Sequence, residues 1–239
     1  MSTHNWKNLE IYLDGDTRLQ RQKEHIAAAF FKAISTGEEE AIRKEMRQGA
    51  YIGIIHENMT ALMHAVTVYQ PNAVRFLLNM GGSSVLQAGD SDAVWVSYQQ
   101  GKLDLLTMFL SDKPRLNREV GTEKTLLIHA VESSNLQATE IIAPRVNINE
   151  YDKQGNTALH YNMRKESPTP QDIEIGRLLI SLGADANTQN ADGETPTMIV
   201  ASGEGQNLLT EQKLIEVIIE ENPDMAAIPD APKPSRPKI

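Results

Sequence analysis

Internal repetition is the feature that most limits what this chain can fold into. The segment from Asp152 through Gly155, Thr157 and His160 matches the one from Asn190 through Gly193, Thr195 and Met198. Each places a turn residue and a glycine ahead of a threonine that opens an apolar-periodic run. Degenerate copies keep the frame. One runs from Asn58 through Thr60 and His64 to Ala65, another from Thr125 through His129 to Ala130. A third, at Asp92 to Trp95, has aspartate in the threonine slot, and Ala28 to Ala33 fits as a first copy without its turn. The anchors fall at 28, 60, 92, 125, 157 and 195, with steps of 32, 32, 33, 32 and 38. A period of this size means stacked supersecondary units, because one unit cannot bury its own apolar face.

The second half of each unit is helical in pattern. Ile175, Leu178, Leu179 and Leu182 follow the spacing of one helix face, as do Val74, Leu77 and Leu78, and Leu214, Val217 and Ile218. Glycine then ends the helix at Gly49, Gly81 and Gly183, where a left-handed residue satisfies the last carbonyls. The next unit is expected to begin with an extended stretch, such as 186–189.

This pattern resembles the ankyrin repeat family over roughly residues 26–224. The match is best at Gly155, Thr157 and His160, and from Gly183 through Asn187 to Thr195 and Pro196. The resemblance implies an all-α solenoid of helix-turn-helix units joined by β-turn or hairpin loops, with about six repeats and end caps. The units are expected near 26–54, 55–86, 87–119, 120–151, 152–189 and 190–227. A capping segment over 1–25 precedes them and a Pro-rich tail over 228–239 follows.

The signature residues have physical tasks. Thr157 and Thr195 suit an N-cap, whose hydroxyl takes an orphan amide. Pro196 suits the first helical position. Asn58 stands in for glycine at the second turn, since asparagine tolerates the left-handed conformation. Ala33, Ala65 and Ala130 fill the slot where paired helices pack closely. In the capping segment, Thr17 to Gln20 resembles a capping box opening a short helix. Inserts are expected between the paired helices of the fifth unit, at 167–171, and the sixth, at 203–207. Trp95 and Tyr98 in the third unit suggest either a distorted helix or partner anchors.

Composition removes several functional classes. With no cysteine among 239 residues, there is no thiol nucleophile, disulfide or Cys-ligated metal. A net charge of −9 argues against nonspecific nucleic-acid or anionic-membrane binding. No signal peptide or spanning segment is expected, so the reading is cytoplasmic, with export as an effector the alternative. Missing cysteine and degenerate repeats lean toward a bacterial origin.

Catalytic motifs are missing as well. The segment Gly203 to Gly205 lacks the lysine and hydroxyl that complete a phosphate loop, and no Gly-x-Ser-x-Gly elbow or His-Glu-x-x-His pair occurs. His64, His129 and His160 sit in the repeat frame and are read as packing residues. No enzyme activity, cofactor or metal is expected.

Charge varies along the chain. Residues 178–229 hold one cation, Lys213, and nine anions, for a net of −8. That end reads either as a soluble polar cap or as a surface that attracts a basic protein. In ankyrin-like proteins the concave surface, lined by turn tips and first helices, binds partners. Carried over by position, the candidates are His56, Glu57, Met59, Gln99, Gln100, Lys124 and Glu132. Lys153, Gln154, Asn156, Arg164, Lys165, Asp192 and Glu194 complete the set. Lys153, Arg164 and Lys165 form an expected basic cluster. The function expected is noncatalytic binding of another protein by a monomer, as an inhibitor or immunity-type protein. An adaptor or secreted bacterial effector acting on host proteins is the alternative.

Overall fold

The computed structural model describes residues 6–111 and 124–202, which fall into two compact units. The first carries α1 (Trp6–Thr36), α2 (Glu39–Arg47), the short strands β1 (Ile55–His56) and β2 (Met59–Thr60), and α3 (Ala61–Thr67). It continues with α4 (Pro71–Asn79), α5 (Ala93–Gln99) and α6 (Leu103–Leu110). The second carries α7 (Leu126–Glu132), α8 (Leu136–Ile142), a 3-10 turn at Ala143–Arg145, α9 (Ala158–Met163), α10 (Pro170–Ser181) and α11 (Pro196–Ser202).

Within each unit the chain is a row of antiparallel helix pairs. In the first, α3 packs between α1 and α5, and α4 packs behind between α2 and α6. In the second, α9 packs between α7 and α11, and α8 packs against α10. The core follows the repeat frame. Ala65, Leu77, Leu105 and Phe109 are fully buried in one unit, and Ile128, Ala130, Ile142, Leu159, Ile175 and Leu179 in the other. Leu178, expected on the same face as Leu179, is only half-buried.

The first helices start where the sequence places them. Thr60 accepts a hydrogen bond from the Met63 amide at 3.2 Å, Thr125 from Ile128 at 3.2 Å and Thr195 from Met198 at 3.1 Å. Asp92 does the same for Trp95 at 2.9 Å, so aspartate in the threonine slot keeps the cap. The third repeat therefore forms α5, with the Trp95 and Tyr98 rings 5.5 Å apart on it. Asn58 has a φ of 59° in the β1–β2 turn, the left-handed conformation expected there. At Gly155 (φ 77°) a Cβ would lie 3.1 Å from the Asn190 Cα, so two successive turns touch backbone to backbone.

Three local expectations are corrected. No helix begins at Thr17, because α1 runs unbroken from Trp6 through the expected boundary after residue 25. The fifth-unit insert is shorter than 167–171. Pro170 opens α10 behind an N-cap at Thr169, whose amide and hydroxyl both donate to the Asp172 carboxylate. Finally, the stretch 186–189 does not begin extended. Asp185 Oδ1 accepts from the Asn187 amide at 2.8 Å and folds the start of that stretch into a turn. The insert expected at 203–207, the helix expected around 214–218 and the expected tail over 228–239 lie outside the described residues.

Candidate functional site

The second unit carries a continuous polar face built from the turn after residue 150 and the ends of α7 and α9. Asp152, 2% exposed, starts it. Its Oδ1 accepts from the amides of Gln154 and Asn156, both at 2.9 Å, which closes the turn. Its Oδ2 accepts from the Tyr161 hydroxyl at 2.7 Å. Burial, together with this bond to a carboxylate, pushes the Tyr161 hydroxyl far above its usual range, so the phenol stays protonated. Lys124 Nζ sits 4.5 Å above the Tyr161 ring and 2.7 Å from Glu132 Oε1. A cation there gains from both the ring face and the carboxylate.

A second cluster adjoins it at the tips. Arg164 Nη2 donates to Glu194 Oε2 at 2.9 Å and to Asn156 Oδ1 at 3.3 Å. Asn190 Nδ2 reaches the same Asn156 Oδ1 at 2.9 Å and Glu194 Oε2 at 3.3 Å. His160 fixes this register from below. Its Nδ1 accepts from the Thr157 amide at 3.1 Å, so Nε2 carries the proton and donates to the Glu194 carbonyl at 3.2 Å. Burial holds its pKa below the ordinary imidazole value.

Of the sequence candidates, Lys124, Glu132, Asn156, Arg164 and Glu194 belong to this face. Lys153, Gln154 and Asp192 stand exposed on the adjoining tips, and the Gln154 carbonyl accepts from the Ala191 amide at 2.8 Å. Two candidates are not open surface. Asn156 is 6% exposed and spends its side chain on Arg164 and Asn190. The Lys165 side chain is 18% exposed, and its ammonium binds the Glu132 carbonyl, the Ser134 hydroxyl and the Asp172 carboxylate. The expected basic cluster is thus broken up, since Arg164 and Lys165 each face a carboxylate. The frame repeats every ~33 residues, so Glu194 and the Glu132 carbonyl come from neighbouring repeats, whereas Asp172 comes from the paired helix of the same repeat.

In the first unit, Glu57 is exposed at a φ of 48° in the hairpin turn, while His56 and Met59 are half-buried. Gln99 and Gln100 lie exposed at the end of α5. Sequence reasoning missed Tyr161 and Asp152. Tyr161 occupies the frame position after His160, next in register to His129 and His64, and that column was the available signal.

Chemically, the polar face can hydrogen-bond and pair charges but holds no activated nucleophile. Ser35 Oγ lies 2.8 Å from His64 Nε2, yet the hydroxyl donates to the Phe31 carbonyl and, among the described residues, no third group hydrogen-bonds the imidazole Nδ1. No group of three His, Asp or Glu side chains is gathered as a metal site among the described residues. Among them, too, no helix is long and apolar enough to cross a membrane.

No family model and no curated protein matches this chain in sequence. Solved structures do match it. An ankyrin repeat domain from Acinetobacter baumannii is 22% identical, with a TM-score of 0.66, over 80% of this chain and 96% of the other. The ankyrin repeat domain of Bcl-3, a member of the IκB protein family, is 16% identical with a TM-score of 0.55, over 80% and 97%. A structure of a predatory endopeptidase from Bdellovibrio bacteriovorus in complex with its immunity protein matches at 24% identity and a TM-score of 0.58, over 79% and 97%. Over about four fifths of its length, the chain has the fold of ankyrin-repeat proteins.

Proposed function

We propose that the chain is a noncatalytic protein-binding module that engages its partner through the turn tips and first-helix ends. The inhibitor or immunity-type reading is preferred. The observation that carries the binding reading is the prearranged polar face of the second unit. Tyr161 and Arg164 are held there by Asp152, Lys124, Asn156 and Glu194 before any partner arrives. Tyrosine and arginine are the side chains that most often anchor interfaces, and fixing them in advance lowers the ordering cost of binding. The Bdellovibrio complex of an immunity protein with an endopeptidase gives the same fold in an enzyme-bound setting and supports the preference.

The test is affinity capture of the full chain from its source lysate, with mass spectrometry of what co-elutes and an activity assay of the captured partner. A stoichiometric enzyme that loses activity in the complex supports the inhibitor reading. A partner that keeps its activity supports the adaptor reading instead. Captured partner that is unaffected by a Tyr161→Ala, Arg164→Ala double substitution sinks the assignment of this face.

A further inference from the structure

The joint between α1 and the second repeat is built around an imidazole with one unanswered nitrogen. His64, on α3, places Nε2 2.8 Å from Ser35 Oγ of α1. The Ser35 hydroxyl already donates to the Phe31 carbonyl at 3.1 Å, so towards the ring its oxygen is an acceptor. Nε2 therefore carries the proton and Nδ1 is bare. That Nδ1 is buried and has no hydrogen-bond partner among the described residues. The His64 ring lies 5.0 Å from the Phe31 ring, and His56 of the hairpin lies 5.3 Å from that same ring. One buried phenylalanine thus carries two imidazoles from successive parts of the second repeat.

We propose that neutral His64 pins the β1–β2 hairpin and α3 against α1, and that a proton taken up at its buried Nδ1 loosens this joint in mildly acidic surroundings. The physical cause is simple. The neutral ring satisfies its one donor and buries a bare lone pair. The protonated ring would bury a charge and an N–H with no acceptor, and such groups are costly away from water.

The surrounding charges do little to relieve that cost. From the hairpin, His56 opposes a second positive charge and exposed Glu57 favours it. From α1, the Phe31 carbonyl favours the protonated ring, second in size only to burial, and Ser35 offers a hydroxyl already engaged at Nε2. Lys32 of α1 and Arg75 of α4 are exposed, and α5 has no acidic or basic side chain, its one titratable group being the Tyr98 phenol. Burial, first among these influences, holds His64 below the ordinary imidazole value. A lowered folded value gives stability that is complete above the unfolded value near ~6.5 and is lost as pH falls below it.

The experiment is hydrogen–deuterium exchange of the full chain at about pH 7.5 and 5.5, corrected for intrinsic exchange. Amides of 28–36 and 55–67 should lose protection at the lower pH, by up to about tenfold, the most that one histidine can contribute over this interval. In His64→Gln, whose amide can still donate to Ser35, the loss should vanish. Unchanged protection in the parent chain, or the same loss in the variant, overturns the proposal. Should His64→Gln fail to fold, NMR titration of the parent His64 ring decides. Protonation at Nδ1 that coincides with the protection loss supports the pin, and protonation without any loss overturns it.

Discussion

Lys102 in the first unit and Lys165 in the second do one job in two ways. Each reaches back about one repeat to the end of the preceding first helix, where the last carbonyls lose their regular intrahelical partners. Lys102 Nζ binds the carbonyls of Val66 and Thr67 at 2.5 and 2.9 Å, with the Tyr69 ring 5.5 Å away. Lys165 binds the Glu132 carbonyl at 3.0 Å and the Ser134 hydroxyl at 2.5 Å, and adds Asp172 at 2.9 Å. Asp172 is 1% exposed. Although burial pushes its carboxyl up, hydrogen bonds from Thr169 and Lys165 hold it below its usual value. The difference lies in the consequence of loss. Without Lys102, neutral carbonyls are left for water. Without Lys165, a buried carboxylate loses its counter-charge, and such losses are severe.

The contrast breaks if the two lysines prove equivalent. Lys165→Ala should destabilise by about 3 kcal/mol, and Lys102→Ala by about 1 kcal/mol, in urea unfolding monitored by circular dichroism. A companion comparison inside α10 calibrates this against pure packing. Leu179→Ala should cost about 3 kcal/mol, because Leu179 is fully buried. Half-buried Leu178→Ala should cost about 1 kcal/mol, since less apolar surface is lost from cover.

Acid sharpens the same contrast. The folded Asp172 value lies below its unfolded one, so its contribution is present above ~4 and lost as pH falls through the folded value. A pH titration of stability should therefore show an acid limb that shrinks in Lys165→Met and persists in Lys102→Met. An identical limb in both would mean that Lys165 does not stabilise the carboxylate. The smallest effect on stability is expected at the tips. Arg164→Ala should change it by about 0.5 kcal/mol or less, because the Arg164–Glu194 pair is nearly half exposed on both sides. The same substitution should weaken partner binding measured by calorimetry, once a partner is in hand.

How much was legible in the sequence differs with the range of the interaction. Thr60, Asp92, Thr125 and Thr195 act within three residues of themselves, so their caps could be read directly from the order of residues. Asn58 in the second turn is equally local. The start of α1 was less legible, because Thr17 satisfies a capping pattern that an already running helix overrides. The insert after α9 misled for a related reason. Two prolines suggested a loop, yet Pro170 occupies the first turn of α10, where its missing amide costs nothing.

By itself the sequence determined the repeat, its period, the capped starts of the first helices and most of the apolar faces, because each rests on contacts between near neighbours or on a frame that recurs. Only the tertiary structure decided which polar side chains are spent. Lys165, Asn156 and Arg164 look alike in sequence as solvent-facing tip residues. The first two are instead consumed by groups outside their own turn, and Arg164 leans on Glu194, thirty residues on. Stacking sets those partners side by side, and a charge or amide near a buried acceptor binds it rather than leaving it dry.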